Sequence, residues 1–441
     1  MTRYGILKFM IDIQFIRDNI AVVKNAAEHK NIIVDVDRLL ELDHRRRELL
    51  QSVEKLRKAR NETAAQMKNG QPSPELIAEG RRIKDEIVEF EAQLTPTEDE
   101  FIELLKQIPN IPLESVPVGA SEDNNQVVKT VGQKPEFTFE PKNHWDIAVA
   151  KGWMDKERAA KVTGSRFAYI KGSLVELQFA IIQFVMSTLT DEKFLQQVAS
   201  ENNLDVSTKP FVPVLPPFML RTEMYDAMDR LEPRDDRYKI EDEELWLQGS
   251  AEHVLGSMHA DEIFEESTLP VRYLGYATSF RREAGTYGKD TEGMFRMHQF
   301  DKLEMETIST AEDGLLEHRF LVALQEKLTQ MIGVPYQLIQ KCTADIGKPN
   351  ASGFDIDAWL PGQDKYRETH TADYMTDYQA RRLKTRVRRS NDDVEFVHSN
   401  DATAFALSRT PISIIENFQD ENGDVVIPEV LRPFMGGKTK I

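Results

Sequence analysis

Between Val34 and Ile108 the apolar positions recur with a heptad spacing. Leu42, Leu49, Val53, Leu56, Thr63 and Met67 step by seven, four, three, seven and four, with Thr63 the one weak position. After Asn69-Gly70-Gln71-Pro72-Ser73-Pro74 the pattern resumes at Leu76, Ile83, Ile87, Phe90, Leu94, Phe101, Leu105 and Ile108. This predicts two long amphipathic helices joined by a loop so short that they must run antiparallel. About 35 residues at 1.5 Å each gives a hairpin roughly 50 Å long, which should project as an arm.

From Pro109 to about Pro141 the chain turns to Pro, Gly, Asn, Val and polar residues, read as a linker and an extended entry into a second domain. Beyond it, alternating apolar stretches at Val271–Tyr276, Met297–Glu306 and Phe354–Leu360 predict strands of a largely antiparallel sheet. Leu174–Leu189 and Glu312–Ile332 predict helices packed on that sheet. The expected class is α+β, with an antiparallel helical-hairpin arm in front. The expected domains are 1–110 (arm), 111–140 (linker) and 141–441 (sheet domain).

Composition narrows the function classes. The chain has 441 residues, more than one compact core usually organises, with no apolar run long enough for a membrane span. The opening MTRYGILKFMIDIQ has too short an apolar stretch and no small-residue cleavage site, so no secretory signal is expected and the cytosol is the default. The single cysteine, Cys342, excludes an internal disulfide and a multi-Cys zinc site, and it reads as a small core residue. A net charge of -18 argues against a nucleic-acid partner only if charge is spread evenly. It is not: the first arm helix carries Arg45, Arg46, Arg47, Lys55, Arg57, Lys58, Arg60 and Lys68 against Glu48, Glu54 and Glu62. That stretch reads either as a solvated face or as an RNA-binding one.

Phe280–Glu304, FRREAGTYGKDTEGMFRMHQFDKLE, carries the most chemistry. It places Arg281 and Glu283 on one side of a glycine-spaced loop, and Arg296, His298, Phe300 and Glu304 on the other. In a hairpin both flanks would meet one ligand. Arginine forks a phosphate, Phe300 offers a face to a purine, and Glu283 can accept from an exocyclic amine. These are the parts of an ATP site without a Walker loop. Arg409, before a helical run with Pro411 in its first turn, is placed for the terminal phosphate. The tail Gly436-Gly437-Lys438-Thr439 lacks the first glycine of a Walker loop, and His144, His298 and His398 are not spaced as a metal cluster.

The Phe-Arg-x-Glu hairpin and the late Arg at a helix start resemble motifs 2 and 3 of class II aminoacyl-tRNA synthetases, and in detail the seryl-tRNA synthetase family. Supporting strings are MIDIQFIRDN, His144-Trp145, GSRF at Gly164–Phe167, DIDAW at Asp355–Trp359, DYQARR at Asp377–Arg382 and IPEVLRPFM at Ile427–Met435. The likeness covers nearly the whole chain; residues 1–9 precede it. It implies a ligase that activates L-serine with ATP and loads tRNA(Ser), with tRNA(Sec) left open as a second acceptor. It implies ATP ligands at Arg281, Arg282, Glu283, Arg296, Phe300, Glu368, Thr369, His370, Thr371 and Arg409, with Arg281 and Arg409 catalytic. Serine would lie among Ser250, Ala251, Glu252, Arg281, Glu304 and Thr403, and Mg²⁺ would come with ATP at Glu368 and Thr371, without zinc. Arg45, Arg46, Lys55, Arg57, Lys58 and Arg60 would bind tRNA. A cytoplasmic homodimer is implied, with Pro213 in FVPVLPP the candidate for its dimer element.

The chain departs from the family pattern at four places. Thr-x-Glu is Ser250-Ala251-Glu252, and the Ser-Asn pair after the metal-binding Glu is Asp373-Tyr374. Asn-Gly-Ser/Thr is Asp401-Ala402-Thr403, and the Gly before the motif 3 Arg is Ser408. Two other readings remain beside the ligase: an amino-acid activator that loads a carrier other than tRNA, and an inactive tRNA- or nucleotide-binding regulator.

Overall fold

The computed structural model describes residues 11–68, 72–283 and 293–441, in two compact units, one ending at Ile111 and one spanning Pro112–Ile441. The first opens with short helices α1 (Ile13–Asp18) and α2 (Ile20–His29), followed by the long pair α3 (Val36–Met67) and α4 (Pro74–Gln107). Asp35 caps α3 by accepting from the Arg38 N–H, and Ser73 caps α4, where Pro74 in the first turn has no N–H to satisfy. Leu42, Leu49, Val53 and Thr63 of α3 are buried, as are Ile83, Ile87, Leu94, Phe101 and Leu105 of α4. The heptad seam is therefore the contact between the helices. Helix α4 runs through Pro96, and the adjacent Thr97 hydroxyl donates to Gln93 O at 2.8 Å. At the base, Leu39, Leu42, Phe101 and Leu105 share a core with Ile16 and Val23.

The second unit is built on an eight-stranded sheet. Its strands are β1 (Gln126–Val131), β2 (Val212–Val214), β3 (Val271–Phe280), β4 (Gln299–Ser309), β5 (Tyr336–Gln340), β6 (Ser352–Leu360), β7 (Lys365–Thr376) and β8 (His398–Ala406). Their order is β1-β5-β6-β7-β8-β4-β3-β2, antiparallel throughout except for the β2–β3 pair at one edge. The Pro-rich segment after the arm thus contains an edge strand, β1, as well as connecting chain. Pro213 lies in the other edge strand, where a missing N–H is tolerated.

Alternation assigns the two faces. Leu303 and Met305 of β4, Ala372 of β7, Ala402 and Ala404 of β8, and Ile356 and Ala358 of β6 join the main core. That core is covered by helices α5 (Ser173–Leu189), α7 (Gly314–Ile332) and α8 (Arg409–Asn417). A buried Arg272–Glu317 pair, with bonds of 2.8 and 2.6 Å, ties α7 to β3. The intervening residues, Lys302, Glu304 and Glu306, Thr371 and Asp373, Asp401 and Thr403, Asp355 and Asp357, fall on the opposite face. A short helix, α6 (Ala251–Gly256), covers part of that face close enough that a Cβ on Gly275 would meet Leu255 Cδ1 at 2.6 Å. The sheet therefore buries an apolar face and presents a charged one.

Candidate active site

Strands β3 and β4 form a hairpin whose last pair is Phe280 with Gln299. The glycine-spaced loop read from the sequence lies largely at 284–292, outside the described residues. Just past β3, the Arg281 N–H donates to His298 O at 3.0 Å. Its Nε donates to Gly249 O at 2.9 Å, and its guanidinium lies 5.4 Å from the centre of the Phe300 ring. Glu283 is bonded to Arg296 at 3.0 Å. Arg281, Glu283, Arg296, Phe300, Glu368 and Arg409 line one cleft.

Arg409 is the first residue of α8. It donates to the Glu368 carboxylate at 2.7 Å and to Glu368 O at 3.2 Å, and lies over the Phe295 ring at 4.7 Å. Burial alone would push the Glu368 carboxyl up; Arg409 and Lys341 outweigh it and hold the group below its usual range.

Two residues expected beside ATP are elsewhere. Arg282 lies over Tyr238 at 5.6 Å and does not line the cleft. His370 faces the core against Phe405, and burial pushes its pKa down to about 3. The cause is a β-bulge: Ile356 pairs with His370 but Asp357 pairs with Glu368, leaving Thr369 as the extra residue. Glu368 and Thr371 therefore both reach the cleft although three residues apart. Thr369 lines the cleft as well, but its hydroxyl is committed to Ile356 O at 3.0 Å.

Beside this cleft the Ser250 hydroxyl bonds the Glu304 carboxylate at 2.8 and 2.6 Å, and the Glu252 N–H donates to it at 3.0 Å. Lys302 pairs with the same carboxylate. Burial raises the Glu304 pKa, but Lys302, Ser250 and the Glu252 N–H together bring it below the ordinary value, so it is ionised. Glu252 accepts from Arg230 at 2.8 Å and from Gln379 at 2.9 Å. Thr403 pairs with Glu304 across β8 and β4, and Ala251 packs against Leu255 and Ala277 without a polar atom to offer. Arg230, Gln379 and Lys302 were given no role from sequence. The alternation of Lys302, Glu304 and Glu306 along β4 is a signal for Lys302 alone.

The carboxylates near Glu368 form a second feature. Asp357 faces Glu368 across the strands, and burial with the Glu368 charge pushes its pKa up to about 7. Two carboxyls side by side, with Glu368 kept ionised, offer oxygen donors of the kind a hard cation carried by a triphosphate takes. The Thr371 hydroxyl accepts from Lys341 at 3.0 Å.

On the arm, Lys55, Lys58 and Arg60 are exposed. Arg45 bonds Gln93 at 2.7 Å and Arg57 bonds Glu91 at 2.8 Å. Arg46 departs from the expected basic face: it is only 9% exposed and lies over Phe101 at 4.9 Å.

Residues 10–112 match the seryl-tRNA synthetase N-terminal domain, and residues 237–418 match the tRNA synthetase class II core domain (G, H, P, S and T). The chain is 38% identical over 439 residues to a serine–tRNA ligase of Exiguobacterium sp. strain AT1b, covering 98% of this chain and 99% of that one. It is 39% identical over 439 residues to the serine–tRNA ligase of Bacillus cereus strain G9842, covering 98% and 100%. Among solved structures, seryl-tRNA synthetase from Pyrococcus horikoshii complexed with ATP superposes with a TM-score of 0.86 at 36% identity, covering 98% of this chain and 99% of that one.

Proposed function

The chain belongs to the seryl-tRNA synthetase family of class II aminoacyl-tRNA synthetases, and we infer from that membership and from its site that it is a serine–tRNA ligase. It activates L-serine with ATP to seryl-adenylate and passes the seryl group to the 3′ end of tRNA(Ser). The observation that carries this reading is the adjacency of two half-sites. A guanidinium and a ring at Arg281 and Phe300 suit a nucleotide, and the ionised Glu304 with Ser250 and Thr403 suits a small hydroxylated amino acid.

The chemistry rests on positioning and charge. The serine carboxylate attacks the α-phosphorus in line, and Arg281 meets the developing charge on the phosphoryl oxygens. Phe300 stacks on the adenine, Glu283 reads its amine, and Arg296 and Arg409 face the outer phosphates. No protein nucleophile is required. Mg²⁺ entering with ATP would be held at Glu368 and Thr371, with Asp357 beside them, where it would neutralise phosphate charge. Glu304 accepts from the serine hydroxyl; alanine cannot make that bond, and a pocket built to bond a hydroxyl can discriminate by about 10⁴-fold.

The exposed Lys55, Lys58 and Arg60 concentrate positive charge on the arm, and an acidic protein thereby offers a tRNA a basic surface. Homodimerisation through the β2 edge, where Val212 and Leu215 are exposed, and a cytoplasmic location complete the reading. No helix among the described residues is by itself long and apolar enough to cross a membrane.

The test is serine-dependent exchange of pyrophosphate into ATP, followed by charging of purified tRNA(Ser). Activity in both is expected. A flat exchange trace would refute the enzyme, and exchange without charging would point to a different acceptor.

A further inference from the structure

One rung beyond the substrate-facing row, the charged face of the sheet carries three carboxyls side by side, with Tyr273 of β3 next in the row. Thr403 faces Glu304 across β8 and β4; two residues along, Asp401 faces Glu306 across the same strands and Asp373 across β7. Directly opposed side chains on such a face start about 5 Å apart, and successive rungs lie about 7 Å apart. Asp373, Asp401 and Glu306 therefore stand in line next to Glu304. All are buried, at 7%, 3% and 0% exposure.

Their surroundings do not neutralise them equally. Asp373 has Lys341 at 2.9 Å. Both carboxyl oxygens of Glu306 and Oδ1 of Asp401 have no hydrogen-bond partner among the described residues. Arg230 acts on both through its charge, but its hydrogen bonds go to Glu252 at 2.8 Å and to Asn350 at 3.2 Å. Lys302 is engaged by Glu304. Burial, and then the charges of the neighbouring carboxylates, push Glu306 and Asp401 well up.

Serine brings one ammonium and one hydroxyl, and Glu304 and Glu252 already stand ready for these. It leaves the Asp401–Glu306 pair with no donor. A second ammonium would supply a charge and three N–H donors to this pair. Asp373 and Asp401 also occupy positions where the family pattern has neutral Ser and Asn.

We propose that Asp401 and Glu306 extend the amino-acid subsite to small α-amino acids with a side-chain ammonium, of the 2,3-diaminopropionate and 2,4-diaminobutyrate class, activated as serine is. The proposal rests on the serine-activating reading above. An oxygen of the α-carboxylate bonds to the α-phosphorus, the bond from that phosphorus to the bridging oxygen breaks, and pyrophosphate leaves with the electron pair. The side-chain nitrogen stays protonated between the two carboxyls, so it has no lone pair with which to attack its own activated carbonyl.

The experiment is pyrophosphate exchange by the full chain with serine, alanine, L-2,3-diaminopropionate and L-2,4-diaminobutyrate. It is run on the parent protein, Asp401→Asn and Glu306→Gln, each checked for folding by circular dichroism and thermal melting. At least one diamino acid should support exchange with kcat/KM within about a hundredfold of serine and above alanine, and either variant should lower the diamino-to-serine ratio about tenfold or more. Serine exchange with neither diamino acid active would overturn the proposal and leave the ligase reading standing. So would an unchanged ratio in whichever variant folds. Exchange with no amino acid at all would overturn both.

Discussion

Arg281 is the residue whose removal separates chemistry from folding most cleanly. Among the described residues it makes one side-chain bond, Nε to Gly249 O at 2.9 Å, and a ring contact with Phe300 at 5.4 Å. The bond contributes about 1 kcal/mol and the half-exposed ring contact about 0.5–1 kcal/mol. Arg281→Ala should therefore lower the melting temperature by only a few degrees, since about 2–4 °C for each kcal/mol holds for 150–250 residues and less for a larger unit. In the transition state the same guanidinium meets charge developing on the α-phosphate inside a cleft. Losing one such charged donor removes about 4 kcal/mol or more, a fall of about a thousandfold in kcat. Pyrophosphate exchange at saturating serine and ATP, read beside a thermal melt, measures both numbers. Arg281→Lys keeps the charge but not the fork, and should recover only part of the rate. Exchange within tenfold of the parent in a folded Arg281→Ala protein would refute the phosphate-clamp assignment.

Other outcomes follow from the same geometry. Ser250 does not cap its helix with its side chain and instead bonds Glu304, so Ser250→Ala should raise the serine KM about tenfold with little effect on the ATP KM; an unchanged serine KM would remove Ser250 from the pocket. His318 is buried with neither ring nitrogen bonded among the described residues, and burial holds its pKa down to about 4. The unfolded chain takes up its proton from about pH 6.5 downward, so folding stability should fall by about 1.4 kcal/mol per pH unit between 6.5 and 4 on this group's account. In urea melts at pH 7, 6 and 5, His318→Leu should flatten that slope, and a slope equal to the parent's would contradict the assignment. The base of the arm shares a core with Ile16 and Val23, so an arm shortened by removing 50–93 should fold, exchange pyrophosphate normally and lose tRNA charging; equal damage to both activities would make the arm structural.

What the sequence made legible was what periodicity and side-chain chemistry specify locally. The heptad seam specifies the helical hairpin, because most seam residues, among them Leu42, Leu49, Val53, Ile83, Ile87 and Leu94, are buried along the helix pair. Arg281, Glu283, Arg296, Phe300 and Arg409 were found because their spacing around one hairpin and one helix start carries a recognisable chemistry, and the structure gathers them in one cleft. What stayed hidden depends on register. The bulge at Thr369 reverses the side on which His370 falls, and a bulge leaves no mark in a run such as ETHT. Arg46 sits among charges that look solvent-facing, yet at its turn of the helix it lies over Phe101. The Arg230–Glu252–Gln379 bonds join residues far apart in the chain, which no local pattern reveals. The row Asp373–Asp401–Glu306 likewise exists only once three strands are aligned.

The most direct test is a crystal structure of the protein bound to a non-hydrolysable seryl-adenylate analogue. The account predicts the adenine on Phe300, the phosphate mimic on Arg281 and the seryl hydroxyl on Glu304. An analogue seated with those three side chains turned away from it would contradict the account.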